Sequence, residues 1–426
     1  MGWFVIILLL LVIIAVVLRQ DEFSLKEKQL SFVFLLFKIA GGLTFYGIYV
    51  FHYGYGDSLE YYKEAQIIGA CLSENINNAL LLYQQKAGQC LVESIQWTDQ
   101  LLHRHFQDPD SFFFIKIAGL FAYFGVNTYY KMTIVFSLIS FLICFFGIIV
   151  LKKAQRDLSF DSIMLALIIP SVLVWSSGLS KDNLVFSSSF VLLMLGFSYL
   201  KHLKLTNFNL LALIIFSILL LKLKPMFFII LGLVFLISLL LKYITTYTGS
   251  MVNVIFVMPM GLFFIALLSV LMVKVFHYEV FDIIHKASKW NSSVYQGSTF
   301  NLSIAEYDTK TLVSRGLSAI ILSLFRPFIW EAKNSMMLLQ SIENIILLVF
   351  GCFAFFKSPK VFWLKGIGEN RASWFLLITG LFILAGVGLS TYNFGVVSRF
   401  RIVGLTSLVF AFLILLHQTS SKYRTT

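Results

Sequence analysis

Long apolar runs recur along the whole chain, and they constrain its fold more than any other feature. A helix of about 20 apolar residues crosses the hydrocarbon core of a bilayer, whereas a barrel strand needs about 10 residues of alternating polarity. The runs here are continuous, so we predict an all-α, polytopic membrane protein of about eleven transmembrane helices. The runs lie at about 2–18, 31–51, 132–151, 160–176, 184–200, 207–221, 226–241, 251–275, 337–356, 372–390 and 402–417.

The charge content supports a membrane protein, and the charge distribution predicts its orientation. Only 13% of the residues are charged, against about 25% in soluble domains, which excludes a soluble enzyme. With the N terminus outside and the C terminus in the cytoplasm, the short inside loops hold 15 basic and six acidic residues, as the positive-inside rule requires. Anchoring thus explains much of the net charge of +12. We expect a multi-pass protein of the cell inner (plasma) membrane with no nucleic-acid partner.

This topology leaves two long segments outside the membrane, and they hold most of the acidic residues. The chain divides into 1–51 (the first two transmembrane helices), 52–131 (extracytoplasmic loop 1), 132–275 (a transmembrane helix bundle), 276–336 (extracytoplasmic loop 2) and 337–426 (the C-terminal transmembrane helices). Ile67, Ile68 and Leu72 recur at helical spacing, which predicts amphipathic helices along the membrane surface in loop 1. Cys71 and Cys90 are the one plausible disulfide pair, and an unpaired state is equally open.

Asp57 and Glu60 lie in segment 55–62, immediately after the second predicted span. A carboxylate at the outer rim of the membrane is suited to take a proton from a nucleophilic hydroxyl or to coordinate a cation. The alternative is that Asp57 and Ser58 cap a surface helix that continues through Tyr62. We predict Asp57 and Glu60 as the catalytic residues, with Asp57 required for activity.

Two groups of lysines lie where the orientation rule does not require them. Lys181 and Asp182 follow a turn rich in Gly and Ser between two hydrophobic runs, and an exposed ion pair or a helix N-cap is the alternative interpretation. Lys222, Lys224 and Pro225 interrupt an apolar stretch. Charges at this depth are costly unless they snorkel, pair or face a polar cavity. We predict substrate contacts here, with a turn of snorkelling lysines as the alternative.

Three arginines lie on the predicted outer side. Arg326 precedes a proline and is flanked by aromatic residues, so its planar donor fork is suited to a phosphate or a sugar ring. Arg399 and Arg401 lie next to the last span, where a pair of guanidinium groups is suited to hold the diphosphate of a lipid carrier. For Arg399 and Arg401 the alternative is a structural role, such as pairing with Glu331 or Glu343 across the outer surface. For the aromatic residues around Arg326 the alternative is an interfacial belt.

The sequence lacks several well-known catalytic motifs, among them HExxH, GxSxG and GxxxxGK[ST]. The seven histidines show no metal-ligand pairing. Asp108-Pro109-Asp110 has the form of an Asp-x-Asp metal motif, but these residues are common in loops. No cofactor is certain from the sequence, and a divalent cation with unidentified ligands stays open.

The segments described above resemble the C-type superfamily of integral-membrane glycosyltransferases and the related Wzy-like polysaccharide polymerases of bacteria. The resemblance rests on segments 55–62, 177–182, 224–225, 326–331 and 393–401 and on the layout of spans and outer loops. It implies sugar transfer from a polyprenyl-phosphate or polyprenyl-diphosphate carrier on the outer face, for cell-surface polysaccharide or glycoconjugate assembly. Asp57 is then the catalytic or metal-binding carboxylate. The implied substrate and lipid-phosphate contacts are Lys181, Asp182, Lys222, Lys224, Arg326, Arg399 and Arg401.

Two rival classes stay open beside a glycosyltransferase or polymerase. A transporter or flippase of lipid-linked sugars also needs basic residues for the carrier phosphate, but is expected to place polar residues near the middle of the membrane and to show inverted repeats. The middles of the predicted spans are almost free of charge, with Lys38 placed close to a cytoplasmic end. A non-enzymatic scaffold of an envelope complex leaves the outer arginines without a task.

Overall fold

All regular elements that the structure describes are helices, as the sequence predicts. The structure is a computed structural model that describes residues 2–74, 104–106, 108–201, 203–247, 309–357, 371–391 and 393–423. The α-helices are α1 (Gly2–Leu18), α2 (Leu25–Gly47), α3 (Asp57–Glu74), α4 (Pro109–Tyr123), α5 (Tyr129–Ala154), α6 (Phe160–Leu167), α7 (Pro170–Trp175), α8 (Lys181–Leu200), α9 (Asn207–Leu223), α10 (Pro225–Tyr247), α11 (Thr309–Phe325), α12 (Ser335–Lys357), α13 (Arg371–Ser390), α14 (Phe394–Phe400) and α15 (Ile402–Tyr423). Shorter π- or 3₁₀-helical segments lie at Ile48–Tyr53, Arg104–Phe106 and Ile329–Glu331.

Several of these helices are long and apolar enough to cross a membrane, which favours a membrane protein. In the described part of the chain five helices meet that test, and a sixth is added if the bent pair α14 and α15 is one span. The five are Leu25–Tyr53, Tyr129–Ala154, Lys181–Leu200, Ser335–Lys357 and Arg371–Ser390. Other predicted runs, such as α1 and α9, form apolar helices of only 17 residues. The run at 251–275 lies outside the described residues, so the count of eleven stays a prediction.

The predicted run 160–176 is not one helix. It is divided into α6 and α7, and Pro170 is the first residue of α7. Proline has no N–H to donate and is therefore compatible with a first helical turn but not with a helix interior. The break shortens both pieces to less than the thickness of a bilayer core.

The chain forms two compact units. Unit 1 comprises Met1–Ile149, Leu167–Val191 and Leu211–Met226, and unit 2 comprises Val150–Ala166, Leu192–Leu210 and Phe227–Thr426. In unit 1 the predicted loop 1 contains helices α3 and α4, which pack against each other with Ile68 and Leu72 buried. The two helices approach so closely that a Cβ on Gly119 would collide with the Ile68 side chain. Cys71 is disulfide-bonded, whereas Cys90 lies outside the described residues.

Unit 2 is built around α13, which packs against α11 and α15. α13 and α15 cross at glycines, since a Cβ on Gly380 would lie 2.8 Å from the Gly404 carbonyl oxygen. α14 and α15 bend by 51° at a break that contains Arg401. The bend places the Arg401 side chain among the helices of this unit, where it is fully buried.

Candidate functional site

Asp57 is positioned by a sharp turn between the π-helical end of α2 and the start of α3. Gly54 and Gly56 in that turn have φ angles of 70° and 123°, which side chains with a Cβ rarely adopt. The Gly56 carbonyl accepts hydrogen bonds from the N–H groups of Leu59 and Glu60 and so begins α3. Asp57 therefore lies in the first helical turn with Glu60.

Three carboxylates share one face of α3, and a buried histidine from another segment of the chain lies against that face. Asp57, Glu60 and Glu64 follow the i, i+3, i+7 spacing that aligns side chains along a helix. His105 Nδ1 lies 3.1 Å from Glu64 Oε2 and 3.5 Å from Glu60 Oε2, and His105 Nε2 lies 3.8 Å from Asp57 Oδ1. The Tyr61 ring packs on the imidazole at 4.6 Å. We call Asp57, Glu60, Glu64 and His105 the acid–histidine cluster.

The cluster changes the acid–base properties of its imidazole. Burial, the largest single influence, lowers the pKa of His105, but the carboxylates of Asp57 and Glu64 together outweigh burial and raise it to about 9. The imidazole is therefore protonated at neutral pH when these side chains alone surround it. Asp57 is the most accessible of the three carboxylates, with 35% of its side chain exposed, whereas Glu64 is fully buried.

A shared hydroxyl connects the cluster to the first of the predicted lysines. The Tyr61 hydroxyl lies 3.3 Å from Ser111 Oγ, and Lys181 Nζ donates to the same Ser111 Oγ at 3.0 Å. Lys181 Nζ also lies 3.4 Å from Asp108 Oδ2, while Asp108 caps α4 by accepting from Ser111. The Ser111 and Lys181 contacts hold the pKa of Asp108 below its usual value although burial raises it. The Asp-x-Asp segment thus serves as a helix cap and a lysine partner.

The remaining predicted lysines lie nearby in the same unit. Lys224 Nζ pairs with Asp182 Oδ1 at 3.2 Å, and Asp182 is almost fully buried. Burial and the charge of Asp108 raise the pKa of Asp110 above its ordinary value. Three ammonium groups act against that rise, those of Lys181, Lys222 and Lys224. Lys181 and Asp182 therefore do not form the exposed ion pair considered from the sequence, because each has a partner on another segment.

A buried turn at 176–180 places Lys181 and Asp182 at the start of α8. The carbonyl oxygens of this turn accept hydrogen bonds from side chains of four different helices. Buried backbone groups that have no partner within a helix need such bonds, because unpaired polar groups are costly in the interior. The donors are Lys38 and Ser140 to Ser176 O, Ser137 to Ser177 O, Asn183 to Gly178 O and Ser58 to Leu179 O. Ser58 follows Asp57 in the chain, and Lys181 follows the turn. The hydrogen bond from Ser58 to Leu179 O therefore fixes the start of α3 against the start of α8.

Lys38 is not near a helix end, contrary to its placement from the sequence. α2 begins at Leu25, with Ser24 and Glu27 forming a capping box, and Lys38 lies in the middle of the helix with 1% of its surface exposed. Its Nζ donates to Ser140 Oγ at 2.9 Å and to the oxygens of Ser176 at 2.8 and 2.6 Å. The ammonium is therefore a structural donor for the buried turn.

Arg401 hydrogen-bonds to groups on two other helices of unit 2, α11 and α12. Its Nη2 donates to Glu343 Oε1 at 2.9 Å and its Nη1 donates to Asn344 Oδ1 at 2.7 Å, with further bonds to the carbonyls of Ser323 and Leu324. The guanidinium is fully buried. This is the Glu343 pairing that the sequence left open as the structural alternative to phosphate binding.

The other two predicted arginines also belong to unit 2. Arg326 Nε donates to both carboxylate oxygens of Glu331 at 3.0 and 3.1 Å, and its guanidinium carbon lies 5.3 Å from the centre of the Phe394 ring. The Arg326 contact holds the pKa of Glu331 below its usual value. Arg399 lies half-buried on α14. The sequence offered Glu331 as a partner of Arg399 or Arg401, whereas the structure pairs it with Arg326.

Sequence reasoning missed His105 and Glu64. Glu64 has a readable signal, because it extends the Asp57 and Glu60 face by one helical turn. His105 has none, because it is 41 residues from Glu64 in the chain and no local pattern links them. Comparison with protein families, with curated proteins and with solved structures finds no match for this chain. The candidate site is therefore defined by its own chemistry, which is a carboxylate and imidazole cluster beside several lysines.

Proposed function

We propose that the protein is an integral-membrane glycosyltransferase that transfers a sugar or glycan from a polyprenyl-phosphate or polyprenyl-diphosphate carrier on the outer face of the membrane. The product serves cell-surface polysaccharide or glycoconjugate assembly. One observation carries the proposal: within unit 1, the Tyr61 ring packs on His105 of the acid–histidine cluster, and the Tyr61 hydroxyl is connected through Ser111 to the Lys181 ammonium. Transfer from a lipid phosphate needs one group that accepts a proton and another that stabilises negative charge.

The accepting group in this proposal is the accessible carboxylate of Asp57. The acceptor hydroxyl attacks the anomeric carbon of the sugar, its proton passes to Asp57, and the bond between that carbon and the phosphate oxygen breaks. The bonding electrons leave with the carrier phosphate. The other members of the acid–histidine cluster position Asp57, since the ring nitrogens of His105 lie within 3.8 Å of all three carboxylates.

The lysines stabilise the leaving group in this proposal. The phosphate gains negative charge as the bond breaks, and fixed cations in a site of low dielectric lower the energy of that state. Lys181 and Lys224 are mostly buried and paired with carboxylates at 3.4 and 3.2 Å. An ammonium group with three donors accommodates a phosphate oxygen beside its carboxylate. Lys222 is exposed at the end of α9 and is suited to attract the carrier headgroup.

Sugar transfer at the outer face requires the predicted orientation, with the N terminus outside and the C terminus in the cytoplasm. Single cysteines in a Cys352→Ser background test it with a membrane-impermeant thiol reagent on intact cells. Cysteine at exposed Lys333, in the predicted outer loop, should be labelled. Cysteine at exposed Lys153, in a predicted inner loop, should be labelled only after the membrane is opened. The reverse pattern would contradict the outer-face site.

A transporter or flippase of lipid-linked sugars is the second candidate, and Lys38 is the observation that favours it. A buried cation in the middle of an apolar helix, bonded to the carbonyl of a broken helix pair, is typical of substrate or ion pathways. Chains of carboxylates and histidines also serve as proton relays in transporters, but Asp57 and the lysines supply both groups that transfer from a lipid phosphate needs. We therefore prefer the transferase, and a Wzy-like polymerase is the same chemistry with a lipid-linked acceptor.

Proteoliposomes containing the purified protein and a radiolabelled polyprenyl-phosphate sugar separate these candidates. A transferase releases label from the carrier lipid to an added acceptor, and a polymerase lengthens a lipid-linked repeat unit without another acceptor. A flippase changes only the leaflet of the labelled lipid, which an impermeant periodate treatment detects. Translocation without cleavage of the sugar–phosphate bond would contradict the proposed function.

A further inference from the structure

We propose that Asp57, Glu60 and His105 bind one divalent transition-metal ion, such as Zn²⁺ or Mn²⁺. One ligand atom from each residue, a carboxylate oxygen or an imidazole nitrogen, lies within 4.8 Å of the other two. Two ligands on opposite sides of a metal are about 4.2 Å apart when each bond is about 2.1 Å. Side-chain shifts of less than about 1 Å therefore bring all three ligand atoms to bonding distance.

The local backbone fixes two of the three ligands before any metal binds. Asp57 and Glu60 lie in the same first turn of α3, and the hydrogen bonds to the Gly56 carbonyl hold that turn in place. His105 is buried and packed against the Tyr61 ring. A metal site with prepositioned ligands loses less conformational entropy when the ion binds.

Glu64, the fourth member of the cluster, lies where a carboxylate can orient a metal-binding histidine without binding the metal itself. Histidine ligands in metal sites commonly donate their second ring N–H to a carboxylate, which fixes the tautomer and orients the ring. Glu64 is fully buried, and its Oε2 lies 3.1 Å from His105 Nδ1. Nε2, on the opposite side of the ring, faces Asp57. Glu64 thus holds the imidazole at Nδ1 and leaves Nε2 to the proposed ion, which Glu60 Oε2, at 3.5 Å from Nδ1, reaches by a small side-chain shift.

Charge also favours a cation at this position. The carboxylates of Asp57, Glu60 and Glu64 all lie within 3.8 Å of the same imidazole ring, and like charges this close repel one another. A divalent cation bound between Asp57 and Glu60 reduces that repulsion.

The donor set selects the class of metal. Calcium and magnesium prefer sites made of oxygen alone, whereas imidazole nitrogen favours zinc and other first-row transition metals. Two carboxylates and one imidazole leave coordination positions for water or substrate, which is the arrangement of a catalytic rather than a structural site. Asp108 and Asp110 are not members of this set among the described residues. A bound ion here lowers the pKa of a coordinated hydroxyl, and the proposal stands whether or not that hydroxyl belongs to a sugar.

Metal binding by the purified full-length protein, without a polyhistidine tag, tests the proposal. The chelator-treated protein is titrated with Zn²⁺ in competition with a chromophoric chelator, and bound metal is counted by elemental mass spectrometry. We expect about one ion per chain. His105→Asn and Asp57→Asn should weaken binding by about 100-fold, and the outer-shell Glu64→Gln variant by about tenfold. His52→Asn and Asp157→Asn, which alter exposed residues that are not members of the cluster, should bind as the wild type does.

A second measurement does not depend on whether the variants fold. Pulsed electron paramagnetic resonance of Mn²⁺ bound to the wild type should show a directly coupled ¹⁴N nucleus from the imidazole. Absence of stoichiometric Zn²⁺ binding, or equal affinity in wild type, Asp57→Asn and His105→Asn, would overturn the site. So would bound Mn²⁺ without nitrogen coupling. The titration contains no sugar donor, so its failure is distinguishable from failure of the proposed transferase.

Discussion

Basic side chains meet carboxylates in both units, but the surroundings of these pairs differ. In unit 1, Lys181 and Lys224 keep 19% and 17% of their side chains exposed. In unit 2, Arg401 is fully enclosed, and its donors already reach a carboxylate, an amide and two carbonyls. A partly hydrated ammonium exchanges one anionic partner for another at low cost, whereas an enclosed guanidinium cannot leave its partners without exposing buried charges.

The difference separates residues that are available to a substrate from residues that hold helices together. Arg401 connects α15 to α12 through Glu343 and to the end of α11 through the Ser323 carbonyl. Lys181 instead joins α8 to the capping residues of α4, and one of these, Ser111, also contacts Tyr61, whose ring packs on His105. We therefore retain Lys181, Lys222 and Lys224 as proposed phosphate contacts, and we assign Arg401 a structural role.

The largest expected effect is on the stability of unit 2. Arg401→Met removes one member of a buried ion pair and leaves the Glu343 carboxylate uncompensated, which costs about 3–5 kcal/mol of the free energy of unfolding. Unfolding in mixed detergent micelles measures it. The double variant Arg401→Met with Glu343→Met should recover much of that loss, because no buried charge is left alone. A stable Arg401→Met protein that no longer binds a polyprenyl-phosphate analogue would break the comparison and restore the arginine to the substrate site.

The next effect is on turnover. Asp57→Asn preserves the shape of the side chain and removes its charge, so folding should be retained while sugar transfer falls by roughly 10²-fold or more if Asp57 is the general base. Asp157→Asn, at an exposed acid in the turn before α6, is the matched control. Normal product formation by Asp57→Asn would show that Asp57 is not a catalytic residue. Its role would then be to stabilise the first turn of α3, as the capping alternative holds.

The apolar runs predicted the helical class and the bounds of several helices, because hydrophobic length is a property of a contiguous stretch. The long helix α5 is an example, with a predicted run at 132–151 and a helix at Tyr129–Ala154. The same reasoning did not find the break at Pro170 or the helix α4. Its bounds depend on the Asp108 cap and on packing against α3.

The candidate site was predictable only in part for a related reason. Asp57, Lys181 and Lys224 were found because each is a charge without an anchoring task. The sequence placed Lys38 near a helix end. Only the tertiary structure shows that Ser140 and Ser176 surround its ammonium group in the interior. His105 depends in the same way on a distant contact with α3. Residues whose role comes from a partner far along the chain carry no local signal.

A smaller effect sharpens the difference between the two groups of cations. Lys181→Gln should lower sugar transfer by about tenfold or more, since a hydrogen bond to a charged group contributes roughly 1.5–3 kcal/mol. Lys181→Arg should retain part of the activity because it keeps the charge. Steady-state kinetics with varied donor lipid separate the donor KM from kcat. Lys153→Gln, at an exposed lysine in the last turn of α5, is the control, and equal activity of the two glutamine variants would remove Lys181 from the site.

The smallest effect concerns the Arg326–Glu331 pair of unit 2, whose members are partly exposed. The pKa of Glu331 is lower in the folded protein than in an unfolded chain because Arg326 stabilises the carboxylate. Such a pair contributes stability that is present above the unfolded pKa and is lost as the pH falls through the lowered, folded pKa. Glu331→Gln should therefore destabilise the protein by about 1 kcal/mol or less at neutral pH. At acidic pH the difference from the wild type should shrink, because Glu331 becomes protonated first in the unfolded chain and then, at lower pH, in the folded protein. Thermal unfolding of both proteins at the two pH values measures this. If the stability difference between the two proteins is the same at both pH values, Glu331 acts through its packing and not through its charge. The Arg326–Glu331 pair would then differ from the charge-dependent contacts of unit 1.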